Sequence, residues 1–157
     1  MIRCLVVDDE LPAREELKYI LSKSNKVTVV GEATHGLEAL ELYKKLMPDL
    51  VFLDIQMPQL NGIDVARIIT KEDNHHIPKI IFVTAYDRFA IEAFEVNAID
   101  YILKPISEER LISRIERIYS SRENDGRITI DRLNRLLDEI KPTSITRLSV
   151  YHNNKLI

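Results

Sequence analysis

Three aspartates that follow two apolar runs have the chemistry of a divalent cation site. Asp8 and Asp9 come directly after the apolar run 4–7, and Asp54 comes directly after the run 50–53. Buried parallel strands are continuous apolar runs, and their carboxyl ends meet at the ligand-binding edge of an α/β sheet. Like charges about 4 Å apart repel by about 4 kcal/mol at an effective dielectric constant near 20, so a cation is needed to offset them. Because the candidate ligands are all oxygen atoms, Mg²⁺ or Mn²⁺ is favoured over zinc.

Two further polar residues extend this group of acids. Thr84 ends the fourth predicted strand, and Lys104 follows the fifth. A carboxylate can attack phosphorus and form an acyl phosphate, while a metal ion, an ammonium group and a hydroxyl neutralise the phosphoryl oxygens. Asp54 is the predicted nucleophile, because it stands alone after the central strand.

The elements that must position these residues alternate along the chain. Five apolar runs of strand length are each followed by an amphipathic stretch of helical period, which is typical of a parallel sheet covered by helices. Pro12 in a first helical turn and Ser107 as an N-cap support two of the helix starts. The predicted strands are 2–7, 27–33, 50–53, 79–84 and 100–103. The predicted helices are 12–22, 36–46, 62–70, 88–96 and 108–119.

The change in composition along the chain predicts three segments. Residues 1–121 form the α/β domain, which ends where the sequence becomes polar. Residues 122–144 are a linker, in which apolar residues at helical spacing predict a short helix over 129–140. Residues 145–157 predict two short strands, because an alternating segment is followed by two asparagines and a second short apolar segment. Two such strands are marginally stable alone, so they are either the opening strands of an incomplete β domain or pack on a neighbouring molecule.

The composition excludes several classes of protein. The 157 residues, 45% of them hydrophobic, suffice for one good core with an appendage. A net charge of -3 gives no overall basic surface for nucleic acid. The single cysteine, Cys4, lies within the first predicted strand, so we expect a small buried apolar residue and a reducing compartment. Neither a signal peptide nor an apolar stretch of about 20 residues is found, which predicts a cytoplasmic protein without membrane contact.

Five short motifs, taken in order, resemble the response-regulator receiver domain of two-component signalling. They are Val-Val-Asp-Asp-Glu at 6–10, Leu-Asp-Ile-Gln-Met-Pro at 53–58, Asn-Gly at 61–62, Thr-Ala at 84–85 and Lys-Pro at 104–105. The resemblance implies a flavodoxin-like (βα)5 doubly wound parallel sheet with strand order 2-1-3-4-5. A C-terminal linker helix and a fragment of a β domain would follow it.

The resemblance also implies a role for each of the acidic residues. Asp54 would be the phosphoacceptor, charged by a sensor histidine kinase. Asp9 and Asp54 would bind Mg²⁺ directly, with Mn²⁺ as a substitute, and Asp8 would act through water. Gln56 would provide only its backbone carbonyl oxygen to the metal ion.

The resemblance implies a second set of residues, which would bind the phosphoryl group and change conformation when it is present. Lys104, Thr84 and Ala85 would lie around the phosphoryl oxygens, and Tyr101 would be the aromatic residue that moves with Thr84. The peptide bond between Lys104 and Pro105 would be cis, although few X-Pro bonds in folded proteins are.

The expected output is signalling rather than enzymatic turnover. Phosphorylation would change the surface formed by residues 88–119, through which a homodimer is expected to form. Residues 93–101 and 145–157 resemble LytTR-type regulators, whose second domain is a mostly β DNA-binding module. Promoter DNA is therefore expected to bind the full-length protein and not this chain, because Arg147 and Lys155 are too few for the usual phosphate contacts.

Three other functions compete with this one. A haloacid dehalogenase-type phosphatase needs a second aspartate two residues after the first, whereas Glu10 follows Asp8 at that distance. A flavin-binding module of similar topology needs a loop that accepts a phosphate, which Asp8, Asp9 and Glu10 would repel. A stand-alone receiver that acts through protein contacts or a phosphorelay stays open, since it differs only in the segment that comes after the receiver.

Overall fold

A five-stranded parallel sheet lies at the centre of the computed structural model, which describes residues 1–71, 76–121 and 130–138. The sheet order is β2-β1-β3-β4-β5, so the predicted fold and strand order are confirmed. The strands are β1 (Ile2–Val7), β2 (Val27–Ala33), β3 (Leu50–Leu53), β4 (Lys79–Thr84) and β5 (Asp100–Leu103). The helices are α1 (Leu11–Ser22), α2 (Gly36–Leu46), α3 (Gly62–Lys71), α4 (Ala90–Glu95), α5 (Glu108–Ser120) and α6 (Ile130–Asp138).

The apolar runs are continuous because both faces of the sheet are covered. In β1, Leu5 and Val7 belong to a core cluster shared with α2, α3 and α4, whereas Cys4 and Val6 belong to a second cluster shared with α1 and α5. Successive side chains of a strand point to opposite faces, so the central positions of a doubly covered strand are mostly apolar. Cys4 is fully buried, as expected for a small apolar residue.

The strand register brings the carboxyl ends of four strands to one edge. Val7 lies beside Leu53, and Leu53 lies beside Phe82. Thr84 lies beside Leu103 at the far side of the same edge. The polar residues that end or follow these strands therefore share one side of the sheet.

The fourth helix is shorter than the sequence predicts. It begins at Ala90 and not at residue 88, and it ends at Glu95. Phe89, its N-cap, makes no side-chain capping bond, so no polar residue marks this start in the sequence. The predicted N-cap of α5 is confirmed, since the Ser107 hydroxyl accepts a hydrogen bond of 3.4 Å from the backbone N–H of Arg110.

The described part of the predicted linker helix is α6, and it packs on α4. Leu133 is 8% exposed and belongs to the same core cluster as Ala90 and Ala93 of α4. Residues 122–129 and 139–157, which carry the rest of the predicted linker and the opening strands of a β domain, lie outside the described residues. Among the described residues, no helix is both long enough and apolar enough to cross a membrane.

Candidate functional site

A lysine joins two buried carboxylates at the carboxyl edge of the sheet. Asp8 and Asp54 are each 5% exposed, and they follow the neighbouring strands β1 and β3. The Lys104 Nζ donates to Asp8 Oδ2 at 2.7 Å and to Asp54 Oδ2 at 3.4 Å. Thr84, which ends β4, is fully buried beside them. The structure thus brings together four of the residues that the sequence placed at this site.

The charges in this group depend on one another. Burial raises the pKa of Asp54, and the charge of Asp8 adds to that effect, while Lys104, the Ile55 N–H and the Thr84 hydroxyl oppose it. Burial would lower the pKa of Lys104, but the hydrogen bond to Asp8 and the charges of both aspartates outweigh it and raise that pKa. The ammonium group therefore stays charged and offsets the repulsion between the two carboxylates.

Three consecutive acids form a second, more open group beside Lys104. One carboxylate oxygen from each of Asp8, Asp9 and Glu10 lies within 4.8 Å of the other two. Asp9 and Glu10 are exposed, and the Glu10 N–H donates to Asp8 Oδ1 at 2.9 Å. Asp54 does not join this group at that distance, although Lys104 links it to Asp8. The donors are all carboxylate oxygens, which suit a hard cation such as Mg²⁺.

Gln56 and Ala85 lie on the loops around the site. Both are exposed, and each follows a strand that ends at this edge. An exposed Gln56 side chain is compatible with a role limited to its backbone carbonyl oxygen. The Lys104–Pro105 peptide bond is cis, as the resemblance implied.

Gly62 lies directly against the backbone of Asp54. Its N–H donates to the Ile55 carbonyl oxygen at 2.8 Å. A Cβ atom on Gly62 would lie 2.1 Å from the Asp54 carbonyl oxygen and 2.9 Å from the Ile55 Cα. This close approach of two backbones explains why a glycine begins α3 here.

Tyr101 does not contact the acidic group directly but is connected to Thr84 through Tyr86 of the β4–α4 loop. The Tyr101 hydroxyl donates to the Tyr86 carbonyl oxygen, and the Tyr86 N–H donates to Thr84 Oγ1 at 3.4 Å. Tyr101 is 4% exposed, and its burial, together with the nearby acidic charges, raises the pKa of its hydroxyl. A loop contacts both residues of the predicted switch.

Sequence reasoning missed a cationic group that supports the acidic loop. Arg14 Nη1 donates to the Asp8 carbonyl oxygen at 2.9 Å, and Arg14 Nε donates to Glu32 Oε1 at 3.1 Å. Lys18 Nζ binds the other Glu32 oxygen at 2.8 Å. The available signals were Glu32, the one charged residue of β2, and the spacing of Arg14 and Lys18, which places them on one helix face.

A sequence profile of the response regulator receiver domain matches residues 4–116. This chain belongs to the response regulator receiver family. Receiver domains are the signalling modules of two-component systems, and the fold and edge residues described above agree with that assignment. The resemblance seen in the five motifs is thereby confirmed at the level of the family.

Curated relatives and a solved structure extend the match. This receiver is 47% identical to the Sensory transduction protein LytT of Bacillus anthracis over 124 residues, which are 79% of this chain and 50% of the relative. It is 44% identical to the Transcriptional regulatory protein BtsR of Salmonella typhi over 122 residues, which are 78% of this chain and 50% of the relative. The chain thus spans about half the length of these relatives.

The solved structure is the response regulatory domain of protein mrkE from Klebsiella pneumoniae. It is 35% identical to this receiver and superposes with a TM-score of 0.71. The match covers 76% of this chain and 97% of the solved domain. The receiver fold of the chain is therefore shown by structure as well as by sequence.

Proposed function

We propose that this receiver accepts a phosphoryl group on Asp54 from a sensor histidine kinase in a Mg²⁺-dependent reaction. The contact of Lys104 with both Asp54 and Asp8 is the observation that supports this most directly. It places a cation beside a buried carboxylate, where the oxygens of an incoming phosphoryl group need neutralisation.

The transfer forms one bond and breaks one bond. An Asp54 carboxylate oxygen attacks the phosphorus of the kinase phosphohistidine, and a P–O bond forms while the P–N bond breaks. The histidine nitrogen keeps the electron pair of the broken bond. Lys104 is then close enough to bind an oxygen of the transferred group, and the buried Thr84 hydroxyl can donate to another.

The acids around Asp54 fit a hard cation. Asp9 and Asp54 would hold Mg²⁺ directly, together with the backbone carbonyl of Gln56, and Asp8 would act through water. When bound, the ion would neutralise negative charge on the phosphoryl oxygens. Mn²⁺ has the same preference for oxygen ligands and should substitute.

A phosphorylation experiment tests the acceptor. The chain is incubated with Mg²⁺ and phosphoramidate, and acid-labile phosphoryl incorporation is followed by intact mass. We expect Asp54→Asn to abolish incorporation, because the amide has no anionic oxygen to attack phosphorus. Asp64→Asn, in which the changed carboxylate is paired with Arg67 on the surface of α3, is the matched control and should incorporate normally. Full incorporation in Asp54→Asn would refute the acceptor assignment.

We further propose that the receiver controls a DNA-binding output domain of the LytTR type in the full-length protein. The names of the LytT and BtsR relatives, and the half of their length that this chain does not span, support transcription regulation as the output. A homodimer formed through α4 and α5 would couple the two domains.

A gel-shift experiment at low salt tests this output. The full-length protein should retard promoter DNA, whereas the chain of 157 residues should not. Stable, sequence-specific retardation by the chain alone would contradict the assignment, because the DNA contacts would then lie within residues 1–157. A full-length protein without DNA affinity would favour the stand-alone receiver.

A further inference from the structure

We propose that the contact between α6 and α4 is a regulated contact, which phosphorylation of Asp54 breaks. This inference rests on the proposed function, because it needs a phosphoryl group on Asp54. It assigns a second role to the linker helix: α6 covers α4 in the unphosphorylated receiver and leaves it in the phosphorylated one.

The contact is apolar and small. Leu133 is buried in the core cluster that also contains Ala90 and Ala93 of α4, while Leu136 and Leu137 are only partly buried against it. Ile130, at the start of α6, is 61% exposed and takes no part. Among the side chains of α6 that the structure describes, one buried leucine therefore carries most of the attachment.

The helix depends on this contact for its own structure. α6 has nine described residues, and isolated helices shorter than about 12 to 15 residues are marginally stable in water. Loss of the contact with α4 should therefore unfold α6 as well as release it. Release is thus measurable as exposure of its backbone amides to solvent.

The side of α6 that faces α5 contributes little to the attachment of α6. A cavity of about 350 Å³ lies between α5 and α6, so the two helices are not closely packed there. Its lining contains Arg110, Arg114 and Arg117 of α5 and Arg135 of α6, against the acids Asp100 and Glu109. Positive charge is in excess across this cavity, and like charges favour separation of the two helices.

A chain of contacts leads from Asp54 to the contact between α6 and α4. The Thr84 hydroxyl interacts with the Asp54 carboxylate, so a phosphoryl group on Asp54 must change the position of Thr84. The Thr84 hydroxyl oxygen also accepts a hydrogen bond from the Tyr86 N–H at 3.4 Å, which is already at the limit of length. Tyr86 also accepts the Tyr101 hydroxyl bond and packs edge-on against Phe89, with ring centroids 6.4 Å apart. Phe89 immediately precedes α4, so a shift of this loop moves the surface on which Leu133 sits.

Hydrogen exchange read by mass spectrometry tests the proposal on the whole chain. Amide exchange in peptides from 130–138 is compared with and without phosphoramidate and Mg²⁺. We expect exchange in α6 to become at least about tenfold faster on phosphorylation, while peptides of β3 stay protected. Asp54→Asn treated in the same way should keep the slow exchange.

Two substitutions in α6 form a matched pair. Leu133→Ser should give fast exchange in α6 without phosphorylation, because it removes the buried anchor. Ile130→Ser makes the same kind of change at an exposed position of the same helix and should behave like the unmodified chain. Protection of β3 in both variants shows that the receiver itself remains folded.

The outcomes separate this inference from the proposed function. If intact mass shows no phosphoryl incorporation, the proposed function fails. If incorporation is complete and exchange in α6 does not change, the regulated contact is refuted and the proposed function stands. Equal exchange in Leu133→Ser and Ile130→Ser would also refute it, because α6 would then not depend on its anchor.

Discussion

The packing of Gly62 against Asp54 leads to a quantitative prediction about Gly62→Ala. The added Cβ would lie 2.1 Å from the Asp54 carbonyl oxygen, far inside van der Waals contact, and the other near atoms are also backbone. No side chain can rotate to relieve this overlap, so α3 and the loop after β3 must move apart. The movement also strains the 2.8 Å hydrogen bond from the Gly62 N–H to the Ile55 carbonyl.

The expected cost follows from these two effects. Overpacking at a tight site typically costs about 1 to 3 kcal/mol, and a weakened buried hydrogen bond adds about 1 kcal/mol. Replacing glycine stiffens the unfolded chain and returns at most about 1 kcal/mol. We therefore expect Gly62→Ala to lower the free energy of unfolding by about 2 kcal/mol, within a range of about 1 to 3 kcal/mol. For a domain of this size that is a fall in Tm of about 10 °C.

Thermal and urea unfolding, followed by circular dichroism, measure this change, and Gly31→Ala is the matched control. A Cβ on Gly31 would meet only the ends of leucine side chains, the nearest being Leu46 Cδ1 at 2.8 Å, and these can rotate away. We expect this control to change Tm by no more than about 3 °C. Equal stability of the two variants would show that the backbones at Gly62 separate freely and would refute the reasoning.

Three further predictions concern the charged groups. Because the folded protein raises the pKa of Asp54, the ionised carboxylate destabilises the folded state above that pKa, and this destabilisation is lost as the pH falls through the folded-state pKa. In the absence of metal ions, Asp54→Asn should therefore raise Tm at pH 7, and the increase in Tm should become smaller at acidic pH. Mg²⁺ at about 100 times its Kd should stabilise the folded chain by about 2.7 kcal/mol in thermal shift assays, and Mg²⁺ should stabilise the Asp54→Asn variant less. Equal stabilisation of the two proteins would show that the ion binds elsewhere. Arg14→Gln should lower the free energy of unfolding by about 1 kcal/mol and weaken Mg²⁺ binding in titration calorimetry, because it removes the hydrogen bond to the Asp8 carbonyl oxygen. Arg67→Gln, which breaks an exposed 3.6 Å ion pair with Asp64, should change neither quantity. Equal effects of the two substitutions would contradict the role of Arg14 in supporting the acidic loop.

The strands could be predicted from the sequence because burial on both faces leaves a clear pattern. Val51 and Phe52 point to opposite faces and are both fully buried, so the run that ends before Asp54 has no polar interruption. The end of that run then marks the site edge. The start of α4 could not be predicted, because Phe89 carries no capping group that would mark it.

Contacts between residues that are distant in the chain could not be predicted from the sequence. The stripe of leucines in α6 predicted a helix with one apolar face, but periodicity does not say which surface covers that face. Likewise, nothing local shows that Arg14 supports Asp8 through its backbone carbonyl, since that bond depends on how α1 turns back over the end of β1. Asn-Gly at 61–62 contributed to the resemblance as a motif, whereas the need for a glycine became clear only from the distance to Asp54.

The burial of Cys4 makes this receiver convenient for spectroscopic labelling. Its side chain is 0% exposed, and burial raises the pKa of its thiol to about 12, so the reactive thiolate is scarce at neutral pH. A cysteine introduced at an exposed position should react with a maleimide dye or spin label while the native thiol stays intact. Distance measurements between two such labels would need no cysteine-free background.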